Sequence, residues 1–252
     1  MSEVIVVTAA AGSLPGLIAA LTAIPLAVEE YPLMGFAEPK DWDPVDRALT
    51  SASKYRAVAF TSPRASSAIV QRLRSRGIAW PSGGSAPVVW AGGSATAAAL
   101  KQSLGPVRTP PAEATARLGA AGALAQAMLG AGTGSPVLFL CGESRREELT
   151  VQLTGQGLEV DEAVCYRSIL ATPAEGLAAA TRATVLVVTS PRVAELLGRA
   201  CPAGRRPDLV AVGPTTASSA RDQGWPPAAV AASPTVHAIV TAVQSAVAQR
   251  CA

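Results

Sequence analysis

One turn written twice constrains this chain more than anything else in it. Y-R-A-V-A-F-T-S-P-R-A, from Tyr55, returns as A-T-V-L-V-V-T-S-P-R-V from Ala183. A second pair is P-V-V-W-A-G-G-S-A-T-A from Pro87 and D-L-V-A-V-G-P-T-T-A from Asp208. A third, looser pair is P-V-L-F-L-C-G-E-S-R-R from Pro136 and E-V-I-V-V-T-A-A-A-G-S from Glu3. Self-similarity of this length means one structural unit built twice. Each copy is a short aliphatic run, then a small-residue turn, then a helix pattern, as expected of parallel sheets wrapped by helices. The order of the copies carries the topology. In the middle of the chain they run T-S-P, G-G-S, C-G-E; in the other set the third copy comes first, at the N-terminus. The economical arrangement is two similar doubly wound parallel-sheet α/β domains. One is continuous, 36–162, and the other is assembled from 1–33 and 168–252. The chain then crosses between them twice, at Leu26–Leu33 (L-A-V-E-E-Y-P-L) and Asp161–Ser168 (D-E-A-V-C-Y-R-S). Strands over 26–34 and 161–169 are expected to pair as a two-stranded antiparallel linker, each with one tyrosine, Tyr31 and Tyr166. A ligand held between the domains would lie beside Tyr166.

Composition narrows the class. With 49% hydrophobic residues, 15% charged and only 4% aromatic, the cores must be built from Ala, Val and Leu, and disorder is excluded. A chain of 252 residues is long enough for two such cores. The net charge of +3 suits a small anionic ligand but lacks the dense basic surface of a nucleic-acid binder. No apolar run reaches the roughly 18 residues that span a bilayer. The opening M-S-E-V-I-V-V is too short for the core of a signal peptide, so a cytoplasmic chain is expected. Cys141, Cys165, Cys201 and Cys251 show no metal-ligand spacing and read as reduced thiols. His237 is the only histidine, which excludes a His-based metal site and a Ser-His-Asp triad. Asp41, Asp43 and Asp46 lack the glycine and glutamate of a calcium loop and read as a solvated segment.

In open α/β sheets, ligands bind outside the carboxyl ends of the strands. Those ends are expected at Thr8, at T-S-P (Ser62, Ser190), G-G-S before Thr96, C-G-E (Gly142) and G-P-T-T (Gly213, Thr215, Thr216). Each offers small residues, hydroxyls and the unpaired N–H groups of a helix start, which attract carboxylates and phosphates. Ordinary helix capping accounts for Ser62-Pro63 and Ser190-Pro191 equally well, with Ser as N-cap and Pro as the first helical residue. No phosphate-binding P-loop is present, and G-S-L-P-G (Gly12–Gly16) is not a dinucleotide fingerprint. Arg64 follows one T-S-P turn and Arg145 follows Gly142; a guanidinium at either place can pair with a carboxylate through two parallel bonds, or simply lie in solvent. Tyr166 is open between packing and proton donation.

In this order the motifs carry a resemblance to the uroporphyrinogen-III synthase family. The residues are A-F-T-S-P-R-A (Ala59–Ala65), G-S-A-T-A (Gly93–Ala97), A-V-C-Y-R (Ala163–Arg167), T-S-P (Thr189–Pro191), A-V-G-P-T-T-A (Ala211–Ala217) and A-S-P-T (Ala232–Thr235). The resemblance implies two α/β domains joined by a two-stranded ribbon. It implies cyclisation of linear hydroxymethylbilane, with loss of water and inversion of the last pyrrole ring, and no metal or organic cofactor. Tyr166 would assist departure of the hydroxyl, and Thr96, Thr215, Thr216, Ser62 and Ser190 would contact the acids or the ring system. The expected partners are this small polycarboxylate and neighbouring tetrapyrrole-pathway enzymes, with no nucleic acid and no membrane. Family members commonly carry Arg where Ala9 stands, and often Arg near Cys141. A non-catalytic, tetrapyrrole-binding regulatory module of the same fold is therefore the second reading.

Overall fold

Successive residues of the central strands feed opposite cores. Val4 and Val6 enter one apolar cluster while Ile5 and Val7 enter another. Val58 and Phe60 likewise part from Ala57 and Ala59. Strands buried on both faces demand helices on both faces, the usual condition of a parallel sheet.

The computed structural model describes residues 3 to 250, so Cys251 lies outside the described residues. In chain order the elements are β1 (Val4–Val7), α1 (Leu17–Leu21), β2 (Ala27–Glu30), β3 (Met34–Ala37), α2 (Asp43–Thr50), β4 (Ala57–Phe60), α3 (Pro63–Arg76), β5 (Val88–Ala91) and α4 (Ser94–Leu104). There follow β6 (Val107–Arg108), α5 (Ala112–Gly130), β7 (Val137–Gly142), α6 (Glu148–Thr154), β8 (Val160–Leu170), α7 (Ala174–Arg182) and β9 (Val185–Val188). The last are α8 (Pro191–Ala200), β10 (Asp208–Ala211), α9 (Pro214–Asp222), β11 (Ala229–Val230) and α10 (Val236–Arg250).

The chain forms two compact units, one from both ends of the chain (up to Phe36, and from Ile169) and one from Ala37–Ser168. The first holds a sheet in the order β11-β10-β9-β1-β2, with every pairing parallel. One face is covered by α7, α8 and α9, the other by α1 and α10. The other sheet has the order β3-β8-β7-β4-β5-β6, parallel from β8 to β6, and its strands β4 to β7 lie wholly in the second unit. Its faces are covered by α2, α3 and α4 on one side and by α5 and α6 on the other. Read in reverse, β6-β5-β4-β7-β8 matches β11-β10-β9-β1-β2 strand for strand. The N-terminal β1 takes the place that β7 holds in the second sheet, as the permuted repeat requires.

Three local expectations are corrected. Ala27–Glu30 is not a linker strand: it is β2, paired in parallel register with β1. The strand beside β8 is β3 instead. A half-polar run of four residues suits a sheet edge as well as a linker, and Pro32 ends it. The helix expected over Arg145–Leu153 starts only at Glu148, three residues later. The alanine-rich helix α5 is interrupted at Gly119, whose φ of 73° and ψ of 169° leave the helical region.

Candidate active site

The second unit builds its site from one irregularity. Along β7 and β8 the register runs evenly to Cys141 opposite Val164, then skips one residue, so that Gly142 faces Tyr166. Cys165 is the extra residue of this bulge, its thiol 3.3 Å from the Cys141 carbonyl oxygen. A one-residue slip moves the following side chains to the other face of a strand. Ala163 and Cys165 belong to the core under α2, α3 and α4, and Tyr166 packs against that same core. Strict alternation would have sent it to the opposite face, with Val164. The bulge therefore turns Tyr166 toward the start of α3.

At that start stands Ser62, the N-cap of α3, in extended backbone with Pro63 as the first helical residue. Its Oγ accepts the backbone N–H of Arg64 at 3.1 Å and of Ala65 at 3.5 Å. The Tyr166 hydroxyl donates to the same oxygen at 3.3 Å. The Tyr166 carbonyl accepts the Glu143 N–H at 2.9 Å. Phenol, capping hydroxyl and helix start thus meet at the carboxyl ends of β4 and β7, beside the middle of β8. Arg64 is exposed in the first turn of α3. Behind it, buried Ser66 donates to the Ser62 carbonyl at 3.3 Å and the Thr96 carbonyl at 3.2 Å, tying α3 to α4.

Several expected hydroxyls are not presented. Thr8, Thr96 and Thr216 are buried, at 0%, 4% and 1% exposure. Thr8 donates its hydroxyl to the Val187 carbonyl at 2.9 Å, so it fastens β1 to β9. The Thr8 hydroxyl can be buried at its strand end because its hydrogen bond is made internally. Arg145 is likewise engaged: its guanidinium pairs with Glu162, which also accepts from the Thr150 hydroxyl. That bond holds the guanidinium in its charged form.

In the first unit the matching rim carries Ser190, Gly213 and Thr215. Ser190 is the N-cap of α8, but its hydroxyl makes no capping bond, unlike Ser62. Gly213 caps α9 at φ 99°, a left-handed conformation that disfavours any side chain. Thr215, two residues on, is exposed.

The thiols are not candidates for nucleophiles. Burial pushes Cys141 up to about 12 and raises Cys165 and Cys201 as well. Among the described residues no group of three or more His, Cys, Asp or Glu could hold a metal ion, and no helix is long and apolar enough to cross a membrane. Asp46 is held by Arg72 at 2.6 Å, which accounts for one of the three early aspartates. Sequence reasoning named Ser62 and Tyr166 separately and missed both their hydrogen bond and Glu162.

Fold and site together define a two-unit α/β protein with hydroxyl- and arginine-bearing helix starts at its strand ends and a held phenol in one unit. The family model described as "Uroporphyrinogen-III synthase HemD" matches residues 16–241. The chain belongs to the uroporphyrinogen-III synthase family, the lyases that cyclise hydroxymethylbilane to uroporphyrinogen III. Among solved structures, uroporphyrinogen-III synthetase from Helicobacter pylori is 18% identical with a TM-score of 0.63, covering 97% of this chain and 99% of that one. A mutant uroporphyrinogen III synthase from the extremely thermophilic bacterium Thermus thermophilus is 15% identical with a TM-score of 0.56, covering 98% and 100%. At such identities the likeness carries the fold. No curated protein sequence matches the chain significantly.

Proposed function

We propose that Tyr166 assists departure of the terminal hydroxyl of hydroxymethylbilane, while the helix starts receive the substrate's carboxylates. One observation carries this reading: the Tyr166 hydroxyl lies 3.3 Å from Ser62 Oγ, itself fixed by the first N–H groups of α3. A phenol aimed by a fixed partner can give its proton to the leaving oxygen as the carbon–oxygen bond breaks. The bond's electron pair stays with that oxygen, which departs as water, and the adjoining pyrrole stabilises the carbon left behind. Arg64 and the uncapped N–H groups at the start of α4 supply charge-assisted bonds for acid side chains. Ser190, Gly213 and Thr215 offer the same chemistry on the first unit. Gly142 and Arg145 support the phenol and its surroundings.

The energetic demand is modest. The bilane closes by itself without inversion, so the protein must favour one of two closures. A hundredfold preference needs a barrier difference of only about 2.7 kcal/mol. Holding the reacting ends in register can supply roughly 7–11 kcal/mol. No strong acid–base pair is needed. The same reading expects a cytoplasmic protein whose neighbours include the enzymes that supply the bilane and consume the macrocycle.

The test is Tyr166→Phe, assayed with hydroxymethylbilane and followed by oxidation and separation of the porphyrin isomers. Turnover is expected to fall roughly 10²-fold, with isomer III still formed. Wild-type turnover in this variant removes the role of the phenol, and isomer I alone from the unaltered chain removes the reaction itself.

A further inference from the structure

We propose that Gly142 is a positioning residue for the ring closure, because its missing side chain is the space in which the Tyr166 phenol is held. The inference rests on the reading of Tyr166 above and deepens it. A Cβ at Gly142 would lie 2.6 Å from Tyr166 Cζ, 2.8 Å from its hydroxyl oxygen and 3.0 Å from Cε1. Carbon atoms in ordinary contact stand about 3.5–4.0 Å apart, so a single methyl group must push the ring by roughly 1 Å.

The push has a definite target. Gly142 is not among the glycines of positive φ, so alanine meets no backbone strain there. The crowded atoms all belong to the far end of one side chain, which can swing where a backbone could not. The main chain on both sides stays paired, Gly142 opposite Tyr166 and the Glu143 N–H on the Tyr166 carbonyl. The displacement therefore falls on the phenol and on its 3.3 Å bond to Ser62. A misplacement of about 1 Å at a reacting group is enough to cost roughly 10²-fold in rate. The register skip, the glycine and the capping serine act as one device: the first turns the ring toward α3, the second lets it lie close against β7, and the third fixes its oxygen.

Gly142→Ala, Tyr166→Ala and the double variant, each assayed with hydroxymethylbilane, test this. Gly142→Ala is expected to lower kcat roughly tenfold or more, with KM unchanged within about twofold. In the Tyr166→Ala background the same glycine substitution is expected to cost nothing further, since no ring remains to be moved. Wild-type kcat in Gly142→Ala, or an equal loss in both backgrounds, overturns the positioning role while leaving Tyr166 in place. Wild-type turnover of Tyr166→Ala instead sinks the reading of the tyrosine, and the role of Gly142 in the reaction with it. Should Gly142→Ala alone fail to fold, the double variant must fold; a double variant that also fails shows that crowding against Tyr166 is not the cause.

Discussion

Tyr31 of the first sheet matches Val164 of the second, and Tyr166 has no tyrosine counterpart. Ala27 pairs with Val4 and Val160 with Val137, so counting along β2 and β8 brings Tyr31 level with Val164. The Tyr31 hydroxyl accepts from Arg182 at 3.3 Å, and the same guanidinium pairs with Glu29 at 2.6 Å. Tyr31 is thus part of a surface ion-pair group beside α7. Tyr31→Phe is expected to leave turnover and isomer ratio unchanged and to shift stability by less than about 1 kcal/mol. Steady-state assays beside Tyr166→Phe check this, and a comparable rate loss in both variants contradicts the assignment.

The Tyr31 expectation shows where sequence pattern stops. The repeat made the strand order readable, because two copies of T-S-P and of the small-residue turn before a helix each require a strand, a turn and a helix start. Side-chain facing was readable only where alternation held. At Cys165 one extra residue reverses it, and nothing local marks a bulge in A-V-C-Y-R. Thr8, Thr96 and Thr216 looked like ligand hydroxyls because burial depends on what lies over them. Arg145 looked available because its partner Glu162 is supplied by the next strand along, a contact set by register.

Ser62 serves both α3 and Tyr166, and two substitutions separate the roles. Ser62→Ala removes the capping acceptor and is expected to cost about 1 kcal/mol, whereas Ser62→Gly costs only a few tenths. Both remove the oxygen that holds the Tyr166 phenol. Urea unfolding should therefore rank them differently while kcat falls alike in both, by roughly tenfold. A Ser62→Gly chain with wild-type kcat would leave the hydrogen bond without catalytic meaning.

Arg145 and Glu162 are partly shielded, with side chains 31% and 19% exposed. Removing the guanidinium takes away the counter-charge of Glu162 and leaves it the Thr150 hydroxyl, which is neutral. Arg145→Ala is expected to destabilise by about 1–3 kcal/mol, the cost of stranding a shielded charge. Arg145→Ala with Glu162→Gln should recover part of this, because the neutral amide needs no counter-charge. Urea unfolding of the two singles and the double gives the coupling directly, and strict additivity contradicts the pairing.

Asp46 gives a pH dependence with a fixed sign. Hydrogen bonds from Arg72 hold its carboxyl below the ordinary value of 3.8, with Arg76 adding to the effect. A depressed folded-state pKa contributes stability above the unfolded pKa and loses it as pH falls through the folded one. The Asp46 side chain is 18% exposed and its bonds to Arg72 are 2.6 and 2.7 Å. Asp46→Asn is expected to cost about 1–3 kcal/mol at pH 7. The gap to the unaltered chain should close as pH is taken below 3.8. A gap that widens in acid would have the wrong sign for this pair.

The three described thiols predict a labelling pattern that follows folding. Cys141, Cys165 and Cys201 are 1%, 0% and 2% exposed. Burial pushes Cys141 up to about 12 and raises the other two. Since the thiolate is the reacting species, both access and ionisation protect them. Iodoacetamide at about pH 8 should leave all three unmodified in the folded chain, read by peptide mass spectrometry, and modify them in urea. Cys201 belongs to the first unit and Cys141 and Cys165 to the second, so their labelling across a urea series reports each unit's unfolding separately. The bulge sharpens the prediction, because the Cys165 thiol is within hydrogen-bond range of the Cys141 carbonyl and opens only with the β7–β8 pairing. Cys165 should therefore become reactive no earlier than Cys141. Prompt labelling of Cys165 in the folded chain would mean that the register skip which turns Tyr166 toward Ser62 is not held.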